Sequence, residues 1–162
     1  MIIIHCNTGN DVQVDVDQLS GANLMGLDLH RALLGSAILR RSLMKNANLR
    51  NATLDNADLS EADLTEAIII LATLTNANCR NATLLHAKLI MADCSGADFQ
   101  DANLSGADVY EANFQDALLL GANLECVRIE HANFSRARFD TRTKWPAGFD
   151  PIQSGAVIHG EV

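Results

Sequence analysis

A five-residue period runs through most of the chain and limits the folds that it can adopt. A unit that begins Ala22, Asn23, Leu24 fits 24 consecutive times from residue 22 to residue 141, and its first position is Ala in 21 of them. The third position is apolar in every unit. Five residues advance an α-helix by about 500°, which would scatter these apolar residues around it. In a flat strand, a step of five sends them to alternating faces.

A chain that bends every five residues keeps the first and third positions on one side. The period therefore predicts a solenoid with Ala and Leu inside. The second position is mostly Asn, Asp or Thr, and the fifth is often Gly or Asn. These residues tolerate left-handed backbone and stabilise turns, so a turn is expected in each unit. The exceptions at the first position are Leu27, Ser42 and Val127.

This pattern resembles the pentapeptide-repeat family, whose units read roughly A-(D/N)-L-x-x. The resemblance implies an all-β fold, a right-handed quadrilateral parallel β-helix with four units in each coil. About six coils of 20 residues are then expected. We expect one domain with an N-terminal cap at residues 1–21, repeats at 22–141 and a C-terminal cap at 142–162.

The ends of such a rod must be covered, because open coils expose unpaired strand edges. The alternating Val12, Val14 and Val16 predict a strand-rich N-terminal cap. The C-terminal segment, which contains Trp145 and Pro151, predicts an irregular lid with a short helix after Pro151. The stretch of residues 143–151 also resembles the tails of cyanobacterial pentapeptide-repeat proteins.

The net charge of −8 is distributed unevenly along the chain. Residues 21–50 carry +4, residues 51–125 carry −10 and residues 126–144 carry +3. An acidic middle argues against direct nucleic-acid binding, which needs clustered Lys and Arg. We see no secretory signal and no apolar run of membrane-spanning length, and we expect a cytoplasmic protein.

The four cysteines show no spacing typical of a zinc site, and we expect no disulfide, no metal and no cofactor. Cys79 and Cys94 are predicted to point inward, and Cys126 outward. No catalytic constellation is present, and a packed solenoid offers no deep cleft, so we expect no enzymatic activity.

Residues 20 apart should stack on adjacent coils, which predicts pairs of opposite charge at the surface. The expected pairs are Arg41 with Glu61, Lys88 with Asp108, Asp108 with Arg128, Asp116 with Arg136, Glu66 with His86 and Glu111 with His131. We interpret them as structural pairs, because one His with one Glu is an incomplete ligand set for a metal.

The same stacking predicts a cluster of outward apolar residues, which we call the apolar strip. Its members are Ile68, Ile70, Leu71, Leu85, Ile90, Met91 and Tyr110. Exposed apolar clusters usually have a cause. Three remain open here: a homodimer seam, a docking surface for another protein, or a landing site for the tail from Phe149 to Ile158. Leu118 and Leu120 form a smaller second patch.

Two functions are therefore weighed. The first is a non-enzymatic scaffold that contacts an unidentified protein or a second copy of itself through the apolar strip. The second follows from the resemblance, because some family members mimic duplex DNA and protect DNA gyrase. The candidate acids for mimicry are Asp58, Glu61, Asp98 and Asp101.

Overall fold

The five-residue units form a ladder of parallel β-bridges whose partners lie 20 residues apart. Asn23 bridges Leu43 and Asp28 bridges Asn48, and the same spacing continues along the rod. Because four units separate each pair, four bends complete one coil. The chain is a right-handed quadrilateral β-helix, as predicted. The computed structural model describes residues 1–160.

The first and third residues of the units fill the interior of the coils. Ala52 and Leu54, for example, are 1% and 0% exposed. Towards the C-terminal end Phe99, Phe114 and Phe134 take the third position, and the rings of Phe114 and Phe134 stack with centroids 5.2 Å apart. The alternation of small Ala with large apolar residues fits this narrow interior.

Two features of each unit make the bend. The fifth residue has left-handed backbone, with φ of 54° at Asn51 and 67° at Gly106. An Asn or Asp at the second position accepts a hydrogen bond from the amide two residues later. Asp63 Oδ1 accepts from the Thr65 N–H at 3.0 Å. These local bonds explain why Asn and Asp recur at the second position.

The register changes once within the repeats, at Cys126. Asp108 bridges Val127, only 19 residues away. Cys126 is therefore inward and 7% exposed, whereas Val127 is 49% exposed, so the sequence prediction for both residues was wrong. A four-residue unit before Cys126 and a six-residue unit after it cancel, and the frame resumes at Ala132. The six-residue unit contains a 3-10 helix at Ile129–His131.

A hairpin covers part of the N-terminal end. Strand β1 (Ile2–Ile4) pairs antiparallel with strand β2 (Val12–Val14). The segment between these strands docks on the first coil, where the Leu33 N–H donates to the His5 carbonyl at 2.8 Å.

The C-terminal tail extends the ladder before it ends. Strand β3 (Arg138–Phe139) pairs in parallel with strand β4 (Val157–Ile158). Trp145 packs edge-on against the last aromatic ring of the core. The short helix predicted after Pro151 is wrong, because residues 151–155 form consecutive turns. Among residues 1–160, no helix is long and apolar enough to cross a membrane.

Candidate functional site

Most of the apolar strip follows one corner of the rod over successive coils, whereas Leu85 lies at the preceding corner, where its carbonyl accepts from the Glu66 N–H at 2.8 Å. Backbone bonds hold its rungs in register, since the Leu71 N–H donates to the Ile90 carbonyl at 3.0 Å and the Met91 N–H to the Tyr110 carbonyl at 2.9 Å. Leu71 is 45% exposed and Met91 is 48% exposed. The other members, Ile68, Ile70, Leu85, Ile90 and Tyr110, are partly buried. The solvent-facing centre of the strip is therefore formed by Leu71 and Met91.

Leu71 and Met91 occupy unfavourable backbone for their residue types. Their φ angles are 57° and 55°, in the left-handed region. Most residues at the same corner position elsewhere are Gly, Asn or charged. A left-handed conformation costs roughly 1–2 kcal/mol for an ordinary L-residue. The fold therefore gives no backbone reason for Leu or Met at these corners.

Charged groups surround Tyr110 at the C-terminal side of the strip. The Arg128 guanidinium carbon lies 4.6 Å from the Tyr110 ring centroid, and the His131 ring lies 5.0 Å away, edge-on. Arg128 is itself held by Asp108, to which its Nε donates at 2.9 Å. A hydrogen bond with Glu111 raises the pKa of Tyr110. Tyr110 thus closes the strip at this side.

The opposite side of the strip is basic. Arg31 and Arg50 are exposed and precede Ile70 on the same corner, and the Arg31 N–H donates to the Arg50 carbonyl at 2.9 Å. Neither guanidinium makes an ion pair with any residue in the range 1–160. Glu111 and Glu130, at the other side, are also exposed. The strip therefore has a basic end at Arg31 and Arg50 and an end of mixed charge around Tyr110.

The tail does not cover the strip. The amide of Val157 donates to the Ala137 carbonyl at 2.8 Å, and the amide of His159 donates to the Phe139 carbonyl at 2.7 Å. These bonds fix the tail on the last coil, next to a different face of the rod. The landing-site explanation for the strip is therefore wrong for the described part of the tail.

The repeat pattern is also found by comparison with known families. The sequence matches the family described as pentapeptide repeats in eight copies, within residues 42–78, 69–106, 77–116 and 102–140. The chain belongs to the pentapeptide-repeat family. A search of the curated proteins gives no match.

Several pentapeptide-repeat proteins of known structure are similar to this chain. Rfr23 from the cyanobacterium Cyanothece 51142 is 25% identical, with a TM-score of 0.50, over 78% of this chain and 89% of Rfr23. The Nostoc PCC 7120 protein alr5209 is 31% identical, with a TM-score of 0.34, over 74% of this chain and 85% of its own. A protein from the thylakoid lumen of Arabidopsis thaliana is 35% identical, with a TM-score of 0.32, over 61% of this chain and 69% of its own. The cytoplasmic location stays a prediction.

The four acids proposed for DNA mimicry are all engaged within the pentapeptide-repeat rod. Glu61 accepts from Arg40 at 2.6 Å and from Arg41 at 2.8 Å, and Asp101 accepts from Arg142 at 2.8 Å. Hydrogen bonds from Arg41 and then Arg40 lower the pKa of Glu61 to about 2.

The other two acids have partners as well. Asp98 lies 3.5 Å from Arg80, and Asp58 accepts from the Ser60 amide at 3.0 Å and from Asn78 at 3.0 Å. Local arginines therefore neutralise three of the four carboxylates.

The expected cross-coil charge pairs form in part. Arg41 contacts Glu61, and Arg136 contacts Asp116 at 2.6 Å. Asp108 was expected to pair with residues on both sides, but it binds Arg128, and Lys88 makes no ion pair in the described part of the chain. Among residues 1–160, the other two predicted pairs, Glu66 with His86 and Glu111 with His131, make no ion pair either. When both oxygens of a carboxylate accept hydrogen bonds from one guanidinium, few acceptor positions remain for a second cation.

The thiols and the metal-binding groups add no further site. All four cysteines are free and buried. Burial raises the pKa of Cys126 to about 12 and raises the pKa values of Cys79 and Cys94 as well. Within residues 1–160, no group of three His, Cys, Asp or Glu side chains could hold a metal ion.

The sequence reasoning missed a second set of exposed apolar residues near the N-terminal end. Leu33, Ile38 and Leu43 are 49%, 66% and 42% exposed. All three stand at the second position, where Asn or Asp is usual, and that departure was the available signal. Leu118, a member of the smaller second patch, lines a surface groove of about 620 Å³ together with Arg138 and other residues.

Proposed function

We propose that this pentapeptide-repeat protein is a non-enzymatic binding protein that contacts another protein through the apolar strip. The observation that carries the proposal is the exposure of Leu71 and Met91, stacked on adjacent coils at left-handed corners. Both residues are unfavourable in backbone and in solvation. A contact that covers them supplies a reason for their presence.

The free energy that such a contact contributes follows from the apolar area that it covers. Covering the exposed half of each side chain contributes about 1 kcal/mol per residue. Ile70 and Ile90 beside them add partly exposed surface. Large apolar side chains at the centre of a contact usually supply most of its affinity. The strip is therefore suited to be the centre of an interface with a polar surround.

The non-enzymatic part of the proposal follows from the packing. Ala, Leu and Phe side chains fill the coils, so reactive groups could meet a substrate only in shallow surface grooves. The groove beside Leu118 has Arg136 and Arg138 on its wall, and Arg136 is already paired with Asp116.

The test compares capture by three purified proteins from an extract of the source cells. The strip variant carries Leu71→Asn and Met91→Asn, both at corners that suit Asn. The control is Ile38→Asn, which removes an exposed apolar side chain outside the strip. We expect the strip variant to lose a bound protein that the native chain and the control retain. Equal capture by all three proteins would contradict the proposed function.

The alternative is an acidic DNA mimic that acts on DNA gyrase or another topoisomerase. It has less support, because Glu61, Asp98 and Asp101 are paired with arginines and present less negative charge to a partner. Supercoiling by gyrase in the presence and absence of excess protein tests it. Unchanged supercoiling would remove this alternative.

A further inference from the structure

We propose that the groove beside Leu118 is a second binding site, which takes a short peptide segment with an acidic residue next to apolar ones. The site goes beyond the proposed function, because it lies at a different corner of the rod and uses no residue of the apolar strip. Its volume of about 620 Å³ is within the usual range of ligand sites, about 300–1,000 Å³. The lining residues are Gly96, Asp116, Leu118, Arg136, Arg138 and Val157.

Two outward columns of side chains border the groove. One column contains second-position residues on successive rungs, since Leu118 bridges Arg138 and Arg138 pairs with Val157. The other column contains the fifth-position residues of the preceding units, from Gly96 to Arg136. The alanine between the two columns points inward in each coil, so no side chain fills the space between them.

The fold itself does not require Leu118 at this position. In the preceding coil of the same column, Asp98 Oδ1 accepts a hydrogen bond from the Gln100 amide at 3.0 Å. Leu118 has no acceptor to offer, and the Leu120 N–H has no hydrogen-bond partner among residues 1–160. The column therefore gives up a local turn bond where the groove begins. A bound ligand supplies a reason for that exchange.

The groove contains one cation that the rod does not neutralise. Nε and Nη2 of Arg136 donate to the two carboxylate oxygens of Asp116 at 2.7 and 2.6 Å, so this pair is already satisfied. Arg138 is exposed and makes no ion pair in the described part of the chain. It lies between the apolar Leu118 and Val157. A carboxylate with apolar groups beside it is complementary to this arrangement.

The shape of the groove fits a segment of a longer chain. Its lining runs over the rungs of Gly96, Asp116, Arg136 and Val157, which is about 14 Å at the interstrand spacing. About four extended residues span that length. Arg136, Arg138 and Val157 are exposed, so the groove is open to solvent along one side and a peptide can enter it without threading.

The same charges disfavour a nucleic acid as the ligand. The affinity of a protein for a phosphate backbone grows with the number of phosphates that its cations neutralise, and this groove offers one unpaired cation. Asp98 stands on the rung next to Leu118, and Asp116 lies in the wall, so a chain of phosphates would also meet negative charge. A single carboxylate avoids that repulsion.

The first part of the test identifies the ligand chemistry without assuming a sequence. Random peptides of about eight residues, twice the span of the groove, are displayed on phage and selected on the strip variant with Leu71→Asn and Met91→Asn. That variant prevents the apolar strip from contributing. We expect the selected peptides to share an Asp or Glu beside Leu, Ile, Val or Phe. Selection of no peptide, or of peptides without an acidic residue, would overturn the proposal.

The second part places a selected peptide in the groove by fluorescence anisotropy. Arg138→Gln removes the unpaired charge at an exposed position and should weaken binding at least about tenfold. Leu118→Asn should also weaken binding, and it introduces the residue type that suits the second position. The matched control is Ile38→Asn, which lies in the same column four coils away and should bind as the native chain does. Unchanged binding in Arg138→Gln and Leu118→Asn would show that the peptide binds elsewhere.

A competitor separates the two kinds of anion. Single-stranded DNA at the same concentration should leave the labelled peptide bound, whereas displacement by the DNA would assign the groove to a polyanion and overturn the proposal. The outcome is also separate from that of the strip. Leu71→Asn and Met91→Asn should leave peptide binding unchanged, and Arg138→Gln should leave capture through the strip unchanged.

Discussion

Replacing Leu71 tests whether this residue is required for binding or for folding. Leu71 is 45% exposed, so Leu71→Asn gives up about half of a leucine's burial, or about 1 kcal/mol. Asn also relieves part of the cost of left-handed backbone, which is roughly 1–2 kcal/mol for Leu. The two effects have opposite sign and similar size. We therefore expect the free energy of unfolding to change by less than about 1 kcal/mol.

The nearby Leu74 provides the comparison. Its side chain is fully buried, and Leu74→Ala should lower the free energy of unfolding by about 2–5 kcal/mol. Urea denaturation measures both changes, and an unaltered m-value would show that the unfolded states are comparable. A loss of about 2 kcal/mol or more in Leu71→Asn would refute the reasoning, because Leu71 would then be required by the fold.

Two further predictions concern titratable groups. The pKa of Glu61 is lowered to about 2 from an ordinary 4.5, so its stabilising effect is present above pH 4.5 and disappears as pH falls through 2. The stability difference between the native chain and Glu61→Gln, measured by urea denaturation, should therefore shrink on acidification. A constant difference would mean that the Arg40 and Arg41 contacts are not formed. Burial raises the pKa of Cys126 to about 12, so a thiol reagent should label Cys126 only after unfolding. Rapid labelling of the native chain would place Cys126 outside the coil.

Much of the fold is predictable from the sequence because the period admits few structures. A step of five with apolar first and third positions keeps Leu54 and its counterparts inside only if the backbone bends in every unit. The Gly and Asn residues at the fifth position indicate where it bends, and the positive φ at Asn51 and Gly106 agrees. Cross-coil pairs such as Arg41 with Glu61 follow from the same 20-residue spacing.

The remaining features, which are the register shift and the choice of ion-pair partners, depend on three-dimensional contacts that the five-residue period does not determine. A short unit followed by a long one leaves the frame unchanged at Ala132, so the shift at Cys126 is invisible in the repeat. Asp108 could stack on Lys88 or Arg128, and two-point geometry favours Arg128. Asp101, one of the acids proposed for DNA mimicry, pairs with Arg142, which lies beyond the repeats.

The position of the apolar strip followed from the sequence, because outward apolar residues recur at a spacing of 20. The role of the charged residues at its ends could not be predicted from the sequence, because it depends on which arginines already form ion pairs. The structure shows Arg128 held by Asp108, whereas Arg50 has no ion pair within residues 1–160. That difference separates structural cations from those available to a partner.

Methyl resonances of methionine test the central claim most directly. Met91 in the strip and Met25 outside it are both 48% exposed, and Met44 is fully buried. When the protein captured from the extract is added, the account predicts that the Met91 methyl signal shifts or broadens while the Met25 and Met44 signals stay constant. A Met91 signal that does not change, or that changes equally with Met25, would contradict the account.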